Sequence, residues 1–456
     1  MCIRSPLMIC ETSNRPLRSG KIAVGCAPYR RLICRGLLFS LFAVSCASTP
    51  LPKNSSAVIP EDFFGIVHAG RTRTREEYRL LDEMEVRWIL NTFYWDRIER
   101  ERGNFYFADY DAFVDTANNE GKKILAVLGY ETPWLYPKGK SKRYISPENI
   151  PFFLNFVEET VRHFRGRVHV WNIWNEPNLM FSYWKGPRKD YIELTRLTAQ
   201  RIREVDPDAY IMGGAFWRAP AGLIKSMRKA GAMENLDGLA FHPYSVYPRG
   251  AMQAHDKLLN ILSTINYSNP VWITEVGYPT AGWYPTKVSL NEFPAYVVKT
   301  ITGAAARGAR ALLWYQLLDD YNKNEVPPGT FNSEDFFGLV YPNYERKNGA
   351  WAYQLCARYL PGSRYTSELP QRENVPSNIA VFCFLGGVSG GNTLILWNDR
   401  NSIQKAKLSL SGPVLLHDIT SGKNSSLTAE AAVEIGKTPL FITWQGAGIP
   451  RLEIVK

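Results

Sequence analysis

Eight short apolar runs, separated by stretches of helical period, occupy residues 61–360, and beyond Pro361-Gly362 the texture changes to closely spaced short strands. These two observations predict an α/β fold: a (β/α)8 barrel of the TIM type with a small C-terminal all-β sandwich domain, 361–456. A third observation agrees. No GxGxxG follows the first apolar run, which disfavours an open doubly wound sheet.

The predicted strands are Phe63–Val67, Val86–Asn91, Lys123–Leu128, Val168–Ile173, Tyr210–Gly213, Gly238–Phe241, Val271–Thr274 and Ala309–Trp314. Each is a brief run of apolar residues, as expected of parallel strands buried on both faces. Helical patterns lie between them, as at Thr74–Glu83, Pro151–Phe164, Asp190–Val205, Leu223–Lys229 and Asn291–Arg307, and a last helix, Gly349–Leu360, follows the eighth strand. Past it, Ala380–Leu385, Thr393–Trp397, Ala406–Ser411, Val414–Ile419 and Pro439–Trp444 read as sandwich strands with Gly/Asn/Ser turns between.

Residues 1–46 read as an N-terminal extension and signal sequence. Arg30, Arg31 and Arg35 precede the apolar run Gly36–Ser45, then Cys46-Ala47-Ser48. A basic segment, a short apolar run and small residues make a secretory signal. The run is too short to span a bilayer, which takes about 20 residues. Ala43-Val44-Ser45-Cys46 resembles a bacterial lipobox, although Ala43 stands where Leu is commonest. The chain is therefore expected to be exported, either periplasmic after a plain cleavage or membrane-anchored through a lipid on Cys46. Residues 47–60 read as a Pro/Ser linker.

Net charge is +11, but +7 of it lies in residues 1–60, leaving +4 for the body. No basic stripe with a reading motif remains, so nucleic acid is excluded as a partner. Five of the seven cysteines also sit at the front. Cys356 and Cys383 are read as free core cysteines, and no CxxC suggests zinc. Aromatics, at 13%, are abundant enough for a sugar-binding cleft. Oligomeric state has no signature.

In a barrel, chemistry sits where strands end. Strand four ends on Asn175-Glu176-Pro177, strand six on Phe241-His242-Pro243-Tyr244, strand seven on Glu275 and strand eight on Trp314. Two carboxylates facing one another across the mouth suit glycosidic-bond hydrolysis. One is protonated and gives its proton to the leaving oxygen; the other is ionised and attacks the anomeric carbon. Glu131, Asp319 and Asp320 also follow strands and read as loop acids, while Asp96 and Glu99 read as structural salt-bridge partners.

Asn175-Glu176-Pro177 after a Trp-rich fourth strand, with Glu275 after the seventh, resembles clan A of the glycoside hydrolases, most closely family 39 and its relatives. Phe93–Asp115, with Trp95, Ile98-Glu99, Gly103 and Tyr110-Asp111, resembles that group's segment after strand two, and Tyr130–Leu135 its segment after strand three. The resemblance implies a retaining O-glycosidase acting on a poly- or oligosaccharide without metal or cofactor. It implies Glu176 as general acid/base, Glu275 as nucleophile and Asn175 as the ligand of the sugar 2-hydroxyl. Tyr244 would orient Glu275, His242 would line the same rim, Trp314 would floor the reactive subsite and Trp134 would carry a neighbouring sugar. One departure stands out: the usual strand-two Arg is Leu90 here, and Arg87 falls on the other face. A non-catalytic carbohydrate-binding barrel and a transglycosylase on a cell-surface glycan are the alternatives. The sugar and exo or endo action are not encoded legibly.

Overall fold

The computed structural model describes residues 57–67, 74–136, 143–179, 183–282, 287–320, 333–367, 371–448 and 450–455. The signal run and Cys46 lie outside them. Among the described residues no helix is long and apolar enough to cross a membrane.

Eight parallel strands close into a barrel in sequence order: β1 Phe64–Val67, β2 Trp88–Tyr94, β3 Lys123–Gly129, β4 Val170–Ile173, β5 Tyr210–Trp217, β6 Gly238–His242, β7 Val271–Val276 and β8 Ala311–Trp314. β8 closes on β1 with Leu312 opposite Phe64. Successive side chains alternate between two apolar compartments, so the strands read as continuous apolar runs. Leu90, Val127, Val170, Met212, Trp272 and Leu313 fill the lumen, whereas Ile89, Leu128, Ile173, Leu312 and Trp314 face the helical shell. At Gly65 only glycine fits, because a Cβ would come within 2.6 Å of Leu313 and 2.8 Å of Trp88. The lower end is sealed by Trp88 edge-on to Trp272, ring centres 5.0 Å apart, and by Arg310 forked onto Asp62 at 2.7 and 3.1 Å.

The shell comprises Arg75–Glu83, Ala108–Asn119, Ile150–Phe164, Arg188–Val205, Ala221–Lys229, Pro248–Thr264, Phe293–Ala306 and Asn348–Tyr359. Thr74 caps the first, its hydroxyl accepting from the Glu77 amide at 3.2 Å.

Beyond Gly362 come β9 Arg364–Thr366, β10 Gln371–Glu373, β11 Ile379–Leu385, β12 Asn392–Asn398, β13 Gln404–Ser409, β14 Val414–His417, β15 Asn424–Leu427, β16 Glu430–Ile435, β17 Leu440–Trp444 and β18 Arg451–Ile454. They form a six-stranded sheet (β15-β14-β17-β12-β11-β9) and a four-stranded sheet (β10-β18-β13-β16). In β11, Val381 and Cys383 point between the sheets, while Phe382 and Phe384 join the barrel's apolar shell. The six-stranded sheet is thus a buried middle layer, and burying such aromatics contributes about 1.5–3 kcal/mol each. Cys356 and Cys383 are both buried. Ile59, at the end of the predicted linker, is buried and pairs with Ser363 at 2.8 Å. That end is docked against the start of the sandwich.

On the upper face a buried ion pair ties two loops together. Lys347 donates to Asp319 Oδ1 and to Thr280 Oγ1, both at 2.7 Å, and neither charged side chain is exposed. Burial raises the Asp319 pKa to about 6 against the pull of Lys347, so Asp319 is more than a loop acid. Lys347→Met is expected to cost about 3–5 kcal/mol, because it strands a buried carboxylate. Adding Asp319→Leu should recover much of that loss in denaturant titrations; no recovery would remove the pair from the account.

Candidate active site

The chain after β4 makes a tight turn with two non-glycine residues in left-handed conformation, Trp174 at φ 65° and Glu176 at φ 43°. Such angles persist only when neighbours over-determine them. Here the Trp174 amide donates to Leu128 O on β3 at 3.1 Å, the Glu176 amide to Ala215 O on β5 at 3.0 Å, and Asn172 Nδ2 to Trp174 O at 2.8 Å. The Trp174 ring is packed edge-on against Tyr130 and Trp184. Tryptophan and asparagine before the acid thus aim its carboxylate, and Glu176 is only 2% exposed.

Glu275 projects from the end of β7 with its side chain 15% exposed. One donor atom each from Glu176, His242 and Glu275 lie within 4.8 Å of one another. His242 Nδ1 is 2.9 Å from Glu176 Oε1 and 3.6 Å from Glu275 Oε2. Its Nε2 lies 3.0 Å from Thr274 Oγ1. The Tyr244 hydroxyl donates to Glu275 Oε2 at 3.3 Å. Among the described residues Glu176 Oε2 is buried with no hydrogen-bond partner.

Burial pushes the Glu176 carboxyl up to about 8. It pushes Glu275 to about 7, where His242 opposes the rise, Glu176 adds to it, the Tyr244 hydrogen bond opposes it and Glu334 adds. Burial also lowers the His242 pKa, partly offset by Glu275. The imidazole is therefore neutral at neutral pH. The same three side chains are the one cluster among the described residues with donors close enough to hold a metal. With Nε2 on Thr274 and Nδ1 at hydrogen-bond distance from Glu176, the arrangement reads as a hydrogen-bonded network.

The sequence-predicted residues divide. Glu176, Glu275, His242 and Tyr244 come together, with His242 buried between the carboxylates rather than lining an open rim. Asn175 is buried beside Glu176. Trp314 does not reach the cleft. It is 0% exposed, and its ring lies 6.0 Å from Tyr278 and 6.2 Å from Phe293 in the helical shell. Alternation decides this: Ala311 and Leu313 take the lumen, so Trp314 faces out and the next residue, Tyr315, packs on the lumen side. Trp134 is also held by packing, edge-on to Trp95 and Phe152, with its N–H on Glu99 O at 2.9 Å. Trp134 is half-buried, and these contacts give it a packing role beside the sugar-platform role expected of it. Glu99 is buried and accepts from Trp95 Nε1 and the Gly103 amide rather than forming a salt bridge. Leu90 fills the lumen, and Arg87 pairs with Glu85 outside.

A tyrosine wall was missed. Tyr94, Tyr130 and Tyr183 stand in a row, with ring centres 6.0 and 5.2 Å apart. The Tyr183 hydroxyl is held well above its usual pKa by burial, with Tyr130, Glu176, Glu275 and Tyr94 adding to the shift. Tyr94 ends β2 and Tyr130 directly follows β3, which was the available signal. Tyr183 lies in a loop and carried none.

With this geometry established, known proteins give its context. The family described as Cellulase (glycosyl hydrolase family 5) matches residues 63–315, more than half of the chain. The chain belongs to this family. Glycosyl hydrolase family 5 lies in the clan A that the sequence resembles. Among solved structures, a family 39 glycoside hydrolase from Bacteroides cellulosilyticus WH2 superposes with TM-score 0.71 at 21% identity, covering 87% of this chain and 83% of that one. A family 39 β-xylosidase from Caulobacter crescentus gives 0.62 at 15% identity, covering 86% and 98%. These likenesses show the shared fold, sandwich included. Among curated relatives, endo-1,4-β-xylanase B of Thermotoga neapolitana is 27% identical over 216 residues, 42% of this family 5 chain and 58% of that protein. Endo-1,4-β-xylanase A of Phanerodontia chrysosporium is 24% identical over 173 residues, 34% and 40%. The chain thus spans about half the length of these relatives.

Proposed function

We propose that the chain is a retaining glycoside hydrolase that cleaves O-glycosidic bonds of a poly- or oligosaccharide, with Glu176 as acid/base and Glu275 as nucleophile. The observation that carries this reading is the meeting of the two carboxylates, from β4 and β7, within 4.8 Å across one histidine. Retaining enzymes hold the pair about 5–5.5 Å apart, whereas inverting enzymes need about 6.5–9.5 Å to admit a water.

In the first step a Glu275 oxygen bonds to the anomeric carbon as the bond to the leaving oxygen breaks. Glu176 transfers its proton to that oxygen. In the tautomer where Thr274 donates to His242 Nε2, Nδ1 carries the hydrogen and donates to Glu176 Oε1, and the acidic proton then sits on Oε2, the oxygen with no partner among the described residues. In the second step Glu176 takes a proton from water, whose oxygen displaces Glu275 from the anomeric carbon. Tyr244 orients Glu275 throughout. The names of the curated relatives make β-1,4-xylan and its oligomers the first substrates to test, in a digestion panel that also holds β-glucans and acidic glycans. Release of shorter sugars from at least one member supports the reading; none from any, by a folded chain, counts against it.

The pH profile follows from the raised pKa values. Glu275 must be ionised, so kcat/KM rises as pH climbs through about 7. Glu176 must be protonated, so kcat/KM falls as pH climbs through about 8. A bell with its maximum between those limbs is expected; an optimum near pH 4–5 would contradict the protonation assignments.

A further inference from the structure

Trp217, the last residue of β5, is clamped by Asn178, two residues past Glu176. Its amide donates to Asn178 Oδ1 at 3.0 Å, and its carbonyl accepts from Asn178 Nδ2 at 2.7 Å. Arg218 follows in left-handed conformation at φ 55°. Its amide donates to His242 O at 2.9 Å and its Nε to Tyr244 O at 3.1 Å. The guanidinium carbon stands 5.4 Å from the Trp217 ring centre. Arg218 is therefore pinned to the residues that contact both glutamates.

Among the described residues its charge has no counterion. Three other arginines of the barrel meet carboxylates: Arg203 with Asp237, Arg307 with Asp256, Arg310 with Asp62. Among the described residues none pairs with Arg218. Burial lowers its pKa, and no acid offsets that. A second case lies one loop on. Arg249, in the first turn of the helix after β6, has Nε and Nη2 buried without partners. Helix starts after barrel strands lie on the catalytic face. A part-buried guanidinium group gives up some of its hydration, which an anion can replace, and a carboxylate matches its planar fork.

We infer that Arg218 builds a subsite for a sugar carboxylate on the Glu176 flank of the cleft, so that the preferred glycan contains uronic acid units. The inference rests on the glycosidase reading and deepens it. Trp217 offers an apolar face beside the charge, an arrangement that suits a pyranose ring carrying an acid group.

The test uses the chain on oligosaccharides of glucuronoxylan, polygalacturonate and alginate, each paired with its carboxyl-reduced form, in which the acid is a primary alcohol. At least one acidic member is expected to be cut about ten- to hundredfold better, in kcat/KM, than its reduced partner. Arg218→Gln should bring that ratio close to one, mainly through KM, and Arg218→Lys should keep part of it. A wild-type ratio near one for every pair, or a preference that survives Arg218→Gln, overturns the inference. So does equal preference for sulfated xylan oligomers, which would show a site for charge rather than carboxylate. Calorimetric binding of the same pairs to Glu275→Gln reads the preference without turnover. Absent hydrolysis with a tenfold affinity ratio would sink the enzyme reading and keep the subsite; hydrolysis without a ratio would do the reverse.

Discussion

Glu275→Ala is expected to abolish turnover of every glycoside, activated or not, by about 10⁴-fold or more, the scale seen when a catalytic nucleophile is removed. Bond cleavage needs the carboxylate on the face opposite the leaving group, and no leaving-group chemistry compensates for its loss. Tyr244 and His242 remain, but they contact Glu275 and donate nothing to carbon. Azide supplied to this variant should enter the vacated space and give a glycosyl azide of inverted configuration. Kinetics on an aryl glycoside, with product analysis by NMR, check both halves. Residual activity within about tenfold of wild type would remove Glu275 from the nucleophile role.

Glu176→Ala separates substrates. General acid catalysis contributes about 10²–10⁴-fold when the leaving oxygen needs a proton. Natural glycosides and alkyl aglycones should lose that much in kcat/KM. Dinitrophenyl glycosides leave as stable anions, so their kcat/KM should fall less than about tenfold. Their kcat should fall further, because the second step has lost its base, and KM should fall with it as the covalent intermediate accumulates. Azide should restore kcat here with retained configuration. Equal losses on both classes would contradict the division of roles. The opposed results of the two variants follow from one structural difference: Glu176 Oε2 is a buried oxygen without a partner among the described residues, whereas Glu275 is held by a hydroxyl donor.

The eight barrel strands were legible because both faces of each are apolar, and Glu176 and Glu275 because strand ends mark the upper rim. The same double burial hid register. In Ala311–Trp314 nothing tells lumen from shell, so Trp314 was given a cleft that Tyr315 faces instead. Trp134 was not decided by sequence for another reason, since an aromatic after a strand is equally good core. In the sandwich, four of the five strands read from sequence, β11, β12, β14 and β17, belong to the layer buried against the barrel. Glu430–Ile435 and Arg451–Ile454 alternate exposed and buried residues on a half-exposed sheet, and a search for continuous apolar runs passes over them. Arg218 was invisible because what sets it apart is that no carboxylate among the described residues meets it, which only three dimensions reveal.

The central claim is that the two carboxylates lie close enough for direct attack rather than for an interposed water. The configuration of the first-formed sugar, followed by proton NMR during hydrolysis by the wild-type chain before mutarotation, tests it most directly. The geometry predicts the same anomer in product and substrate; the opposite anomer appearing first would show that water attacks, and that the Glu176–Glu275 assignment is wrong.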